Sequence, residues 1–175
     1  MDKQVYWIWL SNLKLRNRIK QQMLQIFKSP ENIWQAQEKD LLAIKGIQTK
    51  EIVEIKNNKN KQVLESQQIY MRLNQIRLVT MQDKTYPPLL QQLYDKPICL
   101  YYKGEVALLS QFSLAIIGCR EHTPYGATVA SQIAKALGKR NITTVSGLAR
   151  GIDSIAHRGS LQTNRKNNCC DRKRI

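Results

Sequence analysis

Two consecutive passes through strand, glycine turn and helix constrain this chain more than any other feature. Ser113 to Ile117 is an apolar, β-branched run that ends at Gly118. Residues 125 to 139 then carry Val129, Ile133, Ala134 and Leu137 at helical spacing. Ile142 to Val145 is a second strand run, ending at Ser146-Gly147, and a second helix is expected from Asp153. Strands alternating with helices in this order predict a parallel α/β sheet. The turns after the two strands leave the same edge of such a sheet, where ligands bind in doubly wound folds.

The preceding part has a different character. Residues 3 to 73 read as helical: apolar positions recur through Tyr6, Trp7, Leu10 and Leu13, then Ile19, Met23, Ile26 and Phe27, with a break at Ser29-Pro30. Further helices are expected over Asn32 to Ala43 and through Ile52, Val53 and Ile55, with a polar loop or helix end at Asn57 to Lys61. Arg77 to Thr80 and Ile98 to Tyr102 read as strands, with a short helix opening near Pro87-Pro88. The expected fold class is α/β, an incomplete Rossmann-like parallel sheet preceded by a small all-α domain of helix-hairpin-helix or SAM-like type. The expected division is 1–75 for the helical domain, 76–164 for the Rossmann-like part, and 165–175 for a tail of another origin.

Charge narrows the partner. Lys and Arg number 28 against 13 acids, a formal net charge of +15. Such an excess in a chain of this length points first to a polyanion, nucleic acid before a membrane surface. No apolar stretch is long enough for a membrane span. The N-terminus lacks the basic-then-apolar pattern of an export signal, so a cytoplasmic location is expected. Four cysteines without framework spacing suit a reducing compartment.

The two turns are Gly118-Cys119-Arg120 and Ser146-Gly147-Leu148-Ala149-Arg150-Gly151-Ile152-Asp153. Glycine admits an anion close to backbone amides, a helix N-terminus favours negative charge, and arginine grips phosphate through two donors. Taken alone, the pattern fits both phosphate binding and ordinary sheet turns. No acid stands between Glu121 and Asp153 to hold a ribose, which argues against a dinucleotide site. Asp153 is expected to cap its helix. His157, four residues on, reads as a structural histidine rather than an acid–base partner, and His122 as an exposed turn residue. Trp7, Trp9 and Trp34 read as core rather than as base-stacking groups. Leu41 to Lys50, with Gly46 in its turn, fits either a partial helix-hairpin-helix that holds a DNA phosphate or a helix that simply ends at glycine.

The stretch Ile116-Ile117-Gly118-Cys119-Arg120, then Pro124-Tyr125-Gly126, Val145 through Asp153, Ala156-His157-Arg158-Gly159 and Leu161 closely resembles the DprA/Smf family of bacterial DNA-processing proteins. Tyr86-Pro87, Leu89-Leu90, Pro97, Leu100-Tyr101 and Lys103-Gly104 extend the resemblance upstream. It implies a Rossmann-like domain that binds single-stranded DNA in natural transformation, protects it and helps load the RecA recombinase, without catalysis, cofactor or metal. By resemblance the nucleic-acid contacts are Gly118, Cys119, Arg120, Ser146, Gly147, Arg150 and Gly151. Cys119, whose thiol is a weaker hydrogen-bonding group than a hydroxyl, stands where the family usually has serine. The alternatives are a related enzyme acting on nucleoside monophosphates and a fragment without function.

The end of the chain departs from the family pattern. Family members continue with a Gly-Lys-Thr turn and a third apolar strand, whereas residues 165–175 read Arg-Lys-Asn-Asn-Cys-Cys-Asp-Arg-Lys-Arg-Ile. Asn, Cys and Asp codons all end in a pyrimidine, so reading 167 to 171 one base later yields only Thr, Ile, Ala or Val, the residues of a strand. A one-base frameshift near Asn164 is therefore expected. With it would go later DNA contacts and the surface through which the family forms homodimers.

Overall fold

In the computed structural model residues 2–163 and 167–170 are described. They form two compact units, Met1–Gly104 and Glu105–Ile175. Within the described residues no helix is long and apolar enough to cross a membrane.

The first unit opens with six helices: α1 (Lys3–Asn12), α2 (Asn17–Phe27), α3 (Pro30–Gln35), α4 (Glu38–Leu42), α5 (Thr49–Asn57) and α6 (Lys61–Leu73). Their starts are locally encoded. Asp2 caps α1 by accepting the Gln4 amide, Ser29 caps α3 ahead of Pro30, and Asn60 caps α6. The single helix expected over Asn32 to Ala43 is instead two, because the backbone extends at Ala36 and the Asp40 carboxylate accepts the Gln37 amide to start α4 afresh. Large side chains fill the core: Ile8, Trp9, Leu10, Met23, Ile33, Leu41, Ile55 and Met71 are fully buried. Trp9 meets Trp34 edge to face with ring centroids 4.9 Å apart, a geometry favoured by the aromatic quadrupole. Each such side chain contributes about 1.5–3 kcal/mol by leaving water.

Strands β1 (Arg77–Thr80) and β2 (Cys99–Tyr102) also belong to this unit and pair with each other, antiparallel, Arg77 opposite Tyr102 and Thr80 opposite Cys99. The short helix α7 (Pro88–Gln91) lies between them. The Tyr86 hydroxyl donates to the Pro97 carbonyl, and burial pushes its pKa up to about 12. Cys99 is buried and its thiol is pushed up to about 11 by the same cause.

The second unit begins with a short 3-10 helix, Val106–Ser110, and then runs β3 (Ser113–Ala115), α8 (Pro124–Lys139), β4 (Thr143–Ser146), α9 (Ile152–Leu161) and β5 (Asn168–Cys169). The sheet order is β3-β4-β5, all parallel, with Ala115 opposite Val145 and Ser146 opposite Cys169. The parallel α/β expectation is met. The core here is built of small residues: Ala130, Ala134, Thr143, Thr144, Ala156 and Ser160 are buried. At Gly159 a Cβ would lie 2.9 Å from the Ser131 carbonyl oxygen and 3.0 Å from the Ala134 Cβ, so α8 and α9 pack almost backbone to backbone.

Most of the tail anticipated over 165–175 lies outside the described residues. Of the part described, Asn168 is buried and donates to the Leu108 carbonyl (3.0 Å), and the Cys170 amide donates to the Ser146 carbonyl (2.8 Å). These backbone and amide bonds let polar residues occupy the third strand position.

Candidate nucleic-acid interface

The two glycine turns meet at the C-terminal ends of β3 and β4. Ser146, the last residue of β4, is buried and its hydroxyl donates to the Ile116 carbonyl at 2.7 Å, which ties one strand end to the other. The Ile152 amide, at the start of α9, donates to the Cys119 carbonyl at 3.3 Å. Packing dictates the glycines. A Cβ on Gly118 would lie 2.7 Å from the Ile152 side chain. Gly151 has φ +86, and a Cβ there would overlap the carbonyls of Cys119 and Arg120. No other residue type fits that backbone without strain.

Asp153 has a different part from the cap expected of it. The N-cap of α9 is Gly151, and no side chain caps the helix. The Asp153 carboxylate, buried at 6% exposure, instead joins the turns: Oδ1 accepts the Gly118 amide at 3.4 Å, and Oδ2 accepts the Gly147 amide at 3.2 Å and the Ala149 amide at 3.4 Å. A buried carboxylate requires such donors. The amides of Gly118 and Gly147, the groups a phosphate would be expected to use, are thus engaged by the protein's own anion. The glycine turn pattern hid this, because it does not say which anion the amides serve. An acid two residues after a glycine N-cap was the available signal.

The structure therefore sorts the eight residues singled out from the sequence. Gly118, Ser146, Gly147, Gly151 and Asp153 join and pack the two turns. Cys119, Arg120 and Arg150 are exposed. Ile117, Tyr125 and Leu148 stand exposed on the same loops and helix start, at 76%, 79% and 54%. Leu148 has φ +55, an uncommon conformation for a branched side chain. The turns and the start of α8 thus expose apolar, aromatic and guanidinium side chains, the residue types that contact flat bases and phosphates.

Of the two histidines, one is buried and the other exposed. His157 is buried, with Nε2 3.3 Å from the Cys169 sulfur. Burial, and secondarily Cys170, raises the Cys169 thiol pKa. His122 is exposed, with Nδ1 3.4 Å from the Thr123 carbonyl oxygen. Among the described residues no three His, Cys, Asp or Glu side chains are grouped to hold a metal ion.

The second place where a phosphate was considered is the start of α5, after Gly46. Gly46 does take the left-handed conformation, φ +80. Here too the helix serves itself: Glu51 Oε2 accepts the Gln48 amide at 2.9 Å. Glu51 also takes both arms of Arg16, Nε at 3.0 Å and Nη2 at 2.9 Å. The Arg16 hydrogen bond holds the Glu51 carboxyl below its ordinary range against the opposing effect of burial. Trp9 is buried in the core of this unit.

Residues 77–169 match the family model described as DNA recombination-mediator protein A. Protein Smf of Escherichia coli is 37% identical over 101 residues, covering 58% of this chain and 27% of the relative. DNA processing protein DprA of Bacillus subtilis is 36% identical over 88 residues, 50% of this chain and 30% of the relative. Protein Smf of Synechocystis is 33% identical over 172 residues, 93% of this chain and 42% of the relative. The X-ray structure of DprA from Streptococcus pneumoniae superposes with a TM-score of 0.71 at 27% identity, covering 95% of this chain and 56% of that one. The chain thus spans less than half the length of these sequence relatives. With more than half of its residues inside the family match, and those residues holding both glycine turns, this chain belongs to the DNA recombination-mediator protein A family, the DprA/Smf proteins.

Proposed function

We propose that this chain binds single-stranded DNA through the face formed by its two glycine turns, with Arg120 and Arg150 on the phosphates. The observation that carries the reading is the sorting just described: glycines, serine and aspartate hold the turns together, and the two arginines of these turns are left exposed, as are Leu148 in the second turn and Tyr125 at the start of α8. Exposed arginines on rigid turns supply charge-assisted, two-pronged phosphate contacts. The net charge of +15 adds long-range attraction for the same polymer.

Binding without catalysis is the chemistry these residues support. Asp153 is occupied by three amides and His157 is buried against Cys169, so neither is presented at the face as a general acid or base. The same reading extends to a cytoplasmic role in which the bound strand passes to a RecA-type recombinase, in keeping with the family description as a recombination mediator.

Fluorescence anisotropy with a labelled oligothymidylate tests the reading. Arg120→Ala and Arg150→Ala are each expected to weaken binding, and each to lower the slope of log K against log salt by about 0.7, the value for one single-strand phosphate contact. Unchanged affinity and slope in both variants would overturn it.

A further inference from the structure

We infer that Asp153 is a positioning residue for the DNA-binding face: its carboxylate fastens the Gly118 turn to the Ser146–Arg150 turn and so sets the spacing between Arg120 and Arg150. The inference rests on the proposed function above. Each carboxylate oxygen serves a different turn, Oδ1 the Gly118 amide and Oδ2 the amides of Gly147 and Ala149. Residue 118 is two positions before Arg120, and residue 149 is adjacent to Arg150, so the fastened amides lie within two residues of the guanidinium-bearing positions.

The arrangement makes a counterintuitive demand. A buried negative charge behind a phosphate-binding face repels the ligand, so electrostatics alone favours its removal. Fastening requires two acceptors. Asparagine offers one acceptor oxygen and one NH2 group, and the NH2 cannot accept an amide hydrogen. Asp153→Asn must release one turn while removing the charge, and the two effects therefore change affinity in opposite directions.

The test uses the full chain, a labelled oligothymidylate and a salt titration, comparing wild type with Asp153→Asn and Asp153→Ala. Amide hydrogen exchange at Gly118, Gly147 and Ala149 is followed in the free proteins, and circular dichroism checks folding. In Asp153→Asn the expected result is weaker binding, a salt slope lower by about 0.7 as one phosphate contact is lost, and faster exchange on one turn only. Asp153→Ala is expected to speed exchange on both turns and to bind more weakly still. Tighter or unchanged binding by Asp153→Asn with an unaltered slope overturns the inference while leaving the functional reading in place. Unaltered exchange at all three amides overturns it even if a variant folds poorly. A wild-type chain that does not bind the oligonucleotide overturns the functional reading itself, and the role of Asp153 at a DNA face with it.

Discussion

The start of α5 in the first unit and the paired turns of the second use the same parts to opposite effect. Both combine glycine in a left-handed conformation, a helix N-terminus, a buried carboxylate and arginine. At α5 the carboxylate of Glu51 takes the arginine: Arg16 is drawn into a two-armed ion pair, and the helix start is closed by Glu51 itself. At the paired turns the carboxylate of Asp153 takes only amides, and Arg120 and Arg150 remain exposed. The difference teaches that a glycine turn leaves its arginine open to an external anion only when the internal acid does not take it. Glu51 takes Arg16, and Asp153 takes neither Arg120 nor Arg150.

The largest expected effect belongs to Gly151. Its φ of +86 and the overlap that any Cβ would make with the Cys119 and Arg120 carbonyls predict a loss of about 3 kcal/mol or more from the second unit for Gly151→Ala. Trp7, Trp9 and Trp34 all lie in the first unit, so tryptophan fluorescence reports on that unit, while amide exchange along β4 and α9 reports on the other. The exchange is expected to accelerate while the fluorescence transition stays in place. A fluorescence transition displaced as far as the exchange would deny that the strain is confined to the turns.

Next in size is the ion pair of the first unit. Glu51→Gln removes the charge-assisted hydrogen bonds to Arg16 and is expected to lower the urea midpoint at neutral pH. Because the folded-state pKa of Glu51 lies below its ordinary value of 4.5, this stabilisation is fully present above that value. It is lost as pH falls through the lower, folded value. The gap between wild type and variant should therefore shrink on acidification, and a gap constant with pH would contradict the pairing.

The comparison sharpens further with Lys50, an exposed cation at the start of α5. Lys50→Ala is expected to change oligothymidylate binding less than Arg120→Ala does, measured by anisotropy at one salt concentration. An equal loss would place the first unit in the interface. The smallest effect is expected for Cys119→Ser. The structural bond at this position is made by the backbone carbonyl, which accepts the Ile152 amide and is the same in both residues. Affinity indistinguishable from wild type supports that view, and a marked gain would show the side chain to be a DNA contact.

Much of the fold was legible because its signals are local. The break at Ser29-Pro30, the apolar period of α8, and the two runs that became β3 and β4 each carry their own cause in neighbouring residues. The pairing of β1 with β2 inside the first unit was not legible, since nothing in either strand names its partner. The site was half visible. Glycine and arginine spacing identified the turns, yet the division between residues that build them and residues that face outward depends on Asp153 reaching back across 35 positions to Gly118. That contact exists only once the sheet has brought the strand ends together. Asn168 teaches the same in reverse: a polar residue depleted in strands pairs with β4 because Val145 offers a ladder to complete.

The proposed DNA-binding face lies at the two glycine turns. Titrating oligothymidylate into the isotopically labelled full chain, and following backbone amide shifts residue by residue, reads this directly. Perturbations concentrated at residues 117–121 and 147–151 are expected, with residues 14–16 and 48–54 unmoved. Shifts concentrated at the second set, with the two glycine turns silent, would contradict it.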